Sequence, residues 1–140
     1  MEIEQLYHYS TAEKMELPMF SMSVSAGLPT AADDDIETKL DLNEYIVKHP
    51  ASTFFVRVHG EDLKESGVFN GDLLVVDESL DPKDGKVVVA MLGGEMTVKI
   101  YRVIEGEILL ESQSGQLLPM QVNELKSAVI GVVTHAIHSV

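Results

Sequence analysis

Few side chains in this sequence stand where they could do chemistry. The stretch His59-Gly60-Glu61-Asp62-Leu63 lies where a β-branched run ends and an irregular segment begins. Downstream, Lys99 is the single cation in Gly94-Glu95-Met96-Thr97-Val98-Lys99-Ile100-Tyr101. It alternates with apolar Val98 and Ile100, a pattern that also suits a lysine facing solvent on a strand. His135 and His138 form an H-x-x-H. On a helix that spacing suits a metal, but on a strand the odd separation sends the two rings to opposite faces, and no third ligand is placed to help. Asp33-Asp34-Asp35 lacks the Gly and terminal Glu of a calcium loop and reads as a solvated loop. Gly93-Gly94 has neither a Lys nor a helix N-terminus behind it, so it is a hairpin turn and not a phosphate cradle. The methionines are scattered, as core filler is. These residues imply no metal and no cofactor.

A second pattern concerns a peptide that could be read by a cleft. From Phe20 to Ala26 the even positions are apolar and the odd ones are Ser, which is the period of an extended strand with one apolar face. Gly27, Leu28 and Pro29 then break it. An extended segment flanked by loop is the shape a protease cleft accepts, because strand addition presents alternate side chains to pockets. An ordinary edge strand has the same pattern.

Composition bounds the setting. The chain has 140 residues, with 23 Asp and Glu against 10 Lys and Arg, a net charge of −13. Phosphate binding needs concentrated positive charge, so direct nucleic acid binding is not expected. The absence of cysteine excludes disulfides, thiolate metal sites and a thiol nucleophile. No apolar run approaches the roughly 18 residues that span a bilayer. Met1-Glu2-Ile3-Glu4 is acidic, unlike a signal peptide. The expectation is a cytoplasmic protein without membrane contact.

The elements that must position these residues are short strands. Candidates are residues 53–59, 72–77, 86–92, 95–103, 107–111 and 127–138, separated by Asn70-Gly71, Gly93-Gly94 and Glu105-Gly106. Together they predict a mainly β fold, a curled antiparallel sheet or small β-barrel. One short helix is expected, capped by Asp41, with Leu42, Tyr45 and Ile46 on one face and Pro50 ending it. Residues 1–40 read as an N-terminal arm and 41–140 as the domain. The 127–138 run is apolar on both faces, which suits either a dimer face or a core strand.

Several separated motifs then occur in a known order. They are Ala26-Gly27-Leu28-Pro29, Leu40-Asp41-Leu42-Asn43, Asn70-Gly71-Asp72-Leu73-Leu74-Val75-Val76-Asp77, Gly94-Glu95-Met96-Thr97-Val98-Lys99 and Val129-Ile130-Gly131-Val132-Val133-Thr134-His135. With them the chain resembles the LexA-type Ser–Lys self-cleaving peptidases, and within that family its UmuD-like members, from about Pro18 to the C-terminus. No DNA-reading helix-turn-helix precedes the domain, which separates it from the family's repressors.

The resemblance implies the LexA-like C-terminal, signal-peptidase-like fold with an extended N-terminal arm. It places the self-cleavage bond at Ala26–Gly27 and the general-base lysine at Lys99. The nucleophile position departs from the family. Where the pattern is Gly-Asp-Ser-Met, this chain reads Gly60-Glu61-Asp62-Leu63, so Asp62 stands in the serine position. Three adjacent departures look more like drift after loss of function than one designed change.

A Ser–Lys dyad needs a hydroxyl to attack and a neutral lysine to take its proton. Asp62 removes the hydroxyl and adds a negative charge that favours the protonated lysine. The expectation is an Asp62–Lys99 ion pair in a silent cleft. Ser66 lies about one helical turn away, near 5.4 Å, too far for attack, and Ser52 and Thr53 are no better placed. By resemblance the chain is a homodimeric accessory subunit of an SOS translesion polymerase. Its partners would be a Y-family catalytic subunit, the RecA–single-stranded DNA filament, and the sliding clamp and replicative polymerase. The alternatives are an active self-cleaving peptidase, or a substrate cut in trans between Ala26 and Gly27 by an intact partner.

Overall fold

The computed structural model describes residues 1–9, 16–20, 36–112, 117–119 and 128–140. Its strands are β1 (Glu2–His8), β2 (Glu16–Phe20), β3 (Ile36–Asp41), β4 (Thr53–His59), β5 (Leu73–Asp77), β6 (Val87–Leu92), β7 (Glu95–Ile104), β8 (Glu107–Glu111), β9 (Leu117–Pro119) and β10 (Val129–Ile137). Helix α1 covers Leu42–Ile46.

Strand order in the large sheet is β1-β4-β5-β10-β6-β7-β8-β9, and β1 also pairs with β7. That last pairing closes β1, β4, β5, β10, β6 and β7 into a six-stranded antiparallel barrel. The expected small β-barrel is therefore present. The closing contact is the single pair Glu2–Thr97, and β8 and β9 extend the sheet beyond β7.

The barrel closes around apolar side chains supplied by alternation along each strand. Phe54, Val56 and Val58 of β4, Leu74 and Val76 of β5, Val89 of β6 and Val98 of β7 form one buried cluster with Met1, Leu63 and Val68. Val88 and Ala90, on the opposite face of β6, pack with Tyr101, Leu110 and Val132 in a second cluster. Burying both faces of β6 explains its unbroken Val-Val-Val-Ala run.

Turn chemistry matches the strands it joins. Gly93 and Gly94 have φ of 58° and 78°, the paired positive values that a two-residue hairpin between β6 and β7 requires. Asp41 caps α1 as expected, its Oδ1 accepting from the Asn43 N–H at 3.0 Å.

The chain divides into two compact units, Met1–Tyr9 with His49–Val140, and Ser10–Lys48. The first nine residues thus belong with the barrel, although the sequence groups them with an arm ending at residue 40. In the second unit β2 pairs antiparallel with β3. Residues 21–26, where the alternating apolar and Ser pattern falls, and the Ala26–Gly27 bond lie outside the described residues.

Candidate active site

Asp62 sits on the loop that leaves β4. Gly60 makes the exit with φ of +122°, a conformation L side chains rarely adopt, and its N–H donates to Asn70 Oδ1 at 3.0 Å. Leu63 then anchors the loop, being 2% exposed within the barrel core. Its carbonyl accepts from the N–H groups of Ser66 at 2.9 Å and Val68 at 3.2 Å, closing a 3₁₀ turn over Lys64–Ser66. Between the two fixed points, Asp62 keeps its carboxylate at the barrel wall, half-buried.

Lys99 lies on β7 opposite Val88 of β6, and it too is half-buried. It shares its face of the strand with Thr97 and Tyr101, while Val98 turns into the core. The positive charge of Lys99 reaches Asp62 and helps lower its pKa, as the smallest of five contributions.

The ion pair expected between Asp62 and Lys99 is not formed. The carboxylate instead accepts from the α-ammonium of Met1, with Oδ2 at 2.7 Å. That hydrogen bond is the largest cause of a carboxyl held below its ordinary value. Burial works the other way, and the ammonium's charge and the loop's own backbone N–H add to the lowering. The physical reason for the difference is β1. It lies against β4 from Glu2 to His8 and meets β7 at Glu2–Thr97, which delivers the chain's first residue to the loop. Nothing in the sequence near Asp62 signals this.

The other hydroxyls considered for the nucleophile's role are placed elsewhere. Ser66 lines a cavity of about 390 Å³ with Lys86, Thr134 and His135. Thr53 Oγ1 donates to the His49 carbonyl at 2.7 Å. Ser52 Oγ donates to Asp77 Oδ1 at 3.2 Å.

Two acidic clusters escaped the sequence reading. Asp77, 3% exposed at the end of β5, accepts from Ser79 N–H at 2.9 Å, Ser79 Oγ at 2.6 Å and Ser52 Oγ, and pairs with His49 Nδ1 at 2.5 Å. Burial raises its pKa, but the hydrogen bonds from Ser79, His49 and Ser52 outweigh that and leave it lowered. Ser, His and Asp meet here, yet both hydroxyls donate to the carboxylate and not to the imidazole, so no triad is built. Asp72, fully buried, accepts from the Phe69 N–H at 2.8 Å. His138 Nδ1 lies 3.2 Å from its Oδ1 and 3.4 Å from Oδ2, with hydrogen-bonding geometry met at Oδ2. His135 Nδ1 stands 3.0 Å from Thr134 Oγ1.

Known proteins place this geometry in context. The profile described as Peptidase S24-like matches residues 18–134. The chain belongs to the Peptidase S24-like family. It is 41% identical over 121 residues to Protein ImpA of Salmonella typhimurium, covering 86% of this chain and 83% of that protein. It is 40% identical over 121 residues to Protein SamA of Salmonella typhimurium strain LT2, covering 86% and 84%. It is 36% identical over 100 residues to the LexA repressor of Pseudomonas chlororaphis, covering 71% of this chain and 49% of the repressor. The chain is thus a UmuD-like homologue within the Peptidase S24-like family. The match includes both Asp62 and Lys99 but not Met1 or β1.

Proposed function

We propose that this chain is a UmuD-like accessory subunit of an SOS translesion DNA polymerase, working as a binding module whose own peptidase is silent. The observation that carries the silence is the state of Asp62. A carboxylate with its pKa lowered has no proton to give and no hydroxyl to attack with. Its Oδ2 is already engaged by an ammonium at 2.7 Å. Attack by a carboxylate would have to pass through a mixed anhydride, a poor route in a cleft suited to alcohol and amine. Lys99, at the general-base position, is left without a hydroxyl to deprotonate.

The family's chemistry gives this a cellular sense. Removing the arm turns a UmuD-like homodimer from a restraining into a mutagenic form. A chain that cannot cut itself stays in the restraining form, while it keeps the surfaces that meet a Y-family catalytic subunit, the RecA filament and the sliding clamp. We place it in the cytoplasm, where those partners are.

A second reading has its own support in the sequence. The chain keeps the small pair Ala26-Gly27 and the alternating stretch before it. Such an arm is a substrate that an intact partner could cut in trans.

Incubation with RecA–single-stranded DNA filament and ATP, alone and mixed with an intact family member, separates the readings. The silent module stays full length alone. A product beginning at Gly27 only in the mixture assigns the cut to the partner. A product in the unmixed sample contradicts the proposal.

A further inference from the structure

We propose that the cavity lined by Ser66, Lys86, Thr134 and His135 binds a small anion with several acceptor oxygens, a phosphate or a carboxylate, held by the Lys86 ammonium and the Ser66 hydroxyl. The site is independent of the silent-module reading.

The cavity exists because two strands part. β10 pairs with β6 only as far as Val132 opposite Val88, and from Val133 to Ile137 its partner is β5 alone. β6 begins at Val87, whose partner is Ile100 of β7. A bulge between Val133 and His135 leaves Thr134 without an opposing residue on β5. The space beside these strands is about 390 Å³, within the range that small-molecule sites occupy. Ser66 and Gly67 border it from the loop after β4, Lys86 and Val87 from the start of β6, and Thr134 and His135 from β10. Ser66, Lys86 and Thr134 are exposed, so the cavity opens to solvent.

The lining chemistry selects the charge of the ligand. The chain carries 23 Asp and Glu, yet no carboxylate is among the described residues that line the cavity. Asp84, two residues before Lys86, is engaged elsewhere, its Oδ1 accepting from the Val103 N–H at 2.8 Å. Glu61 is paired with Lys64 at 3.2 Å. Among the described residues, no carboxylate pairs with the Lys86 ammonium and no group takes up the Ser66 hydroxyl. An ammonium brings three donors and a full positive charge, and a hydroxyl adds a fourth donor. A cation would be repelled here, and an apolar ligand would cover both groups without satisfying either. An oxyanion satisfies both.

The walls are braced before any ligand arrives. The Thr134 hydroxyl donates to the Val75 carbonyl at 3.3 Å, so its oxygen accepts from His135 Nδ1 at 3.0 Å. The Ser66 N–H donates to the Leu63 carbonyl at 2.9 Å, which fixes the turn that presents the hydroxyl. A bound anion would join the start of β6 to the loop that carries Asp62.

Amide NMR on the isotope-labelled full chain tests the site. Inorganic phosphate and acetate are titrated separately, with ionic strength held constant by sodium chloride. The Ser66, Gly67 and Lys86 amide shifts should saturate with at least one of the two, and the anion that saturates them identifies the source. Lys86→Ala should weaken that binding at least about fivefold, and Ser66→Ala by about twofold or more. Both positions are exposed, so the fold should survive either change. Lys83→Ala, which removes an exposed cation outside the cavity lining, should leave the affinity unchanged. Shifts that never saturate with either anion, an unchanged affinity in the Lys86→Ala protein, or equal losses in the Lys83→Ala and Lys86→Ala proteins overturn the proposal. No readout involves cleavage, so the site can fail while the silent-module reading stands, and the reverse.

Discussion

Asp62 and Met1 are 61 residues apart in the chain and 2.7 Å apart in the barrel, carboxylate to ammonium. This pairing uses the Asp62 side chain to hold the first residue before the strand that closes the barrel. Asp62→Ala should therefore destabilise the fold. For a hydrogen bond to a charged group, partly open to water, the expected loss is about 1–2 kcal/mol. Urea unfolding should show a lower midpoint with an unchanged m-value.

Acid should weaken the same contact. The Asp62 and Asp77 carboxyls are both held below the ordinary value of 3.8, so the folded state holds their protons less tightly than the unfolded chain. Their contribution is fully present above that value and is lost as pH falls through the lowered folded values. Urea midpoints should stay level from neutral pH to about pH 5 and then fall steeply toward about pH 3. The Asp62→Ala protein should lose less over the acid range, since it has one lowered carboxyl fewer.

Ser79 supplies two of the hydrogen bonds that satisfy buried Asp77. Ser79→Ala removes the hydroxyl donor and keeps the backbone one. The expected cost is about 1–3 kcal/mol, the penalty for under-satisfying a buried charged acceptor. Thermal unfolding should show it, with the far-UV spectrum of the folded state unchanged.

Much of this fold is legible where local rules decide it. Thr53–His59 reads as a strand from its β-branched and aromatic run ending at Gly60, and β4 has those bounds. The Gly93-Gly94 turn and the Asp41 cap are equally local, and both are present. β1 is different. Most of its side chains are exposed, so Glu2–His8 carries no alternation to read. It is a strand because β4 and β7 leave it a slot, which is a long-range fact. For the same reason the sequence points to Asp62 but pairs it with the wrong cation. Lys99 is visible in the motif, whereas Met1 becomes a partner only when the barrel closes. The Asp77 cluster was hidden likewise, because His49 lies 28 residues from its carboxylate and follows no motif.

A subunit that is silent as proposed should, if it dimerises, interfere with active relatives. Co-expression with a competent UmuD-like partner is expected to lower damage-induced mutagenesis through mixed dimers. Unchanged mutagenesis, with both chains present at comparable levels, would count against that role.

The proposed silence of the peptidase rests on the acid at position 62. Its most direct measurement is the intact mass of the purified chain before and after incubation with RecA filament and ATP. A single unchanged mass is expected. A fragment whose first residue is Gly27, released without any other peptidase present, would contradict it.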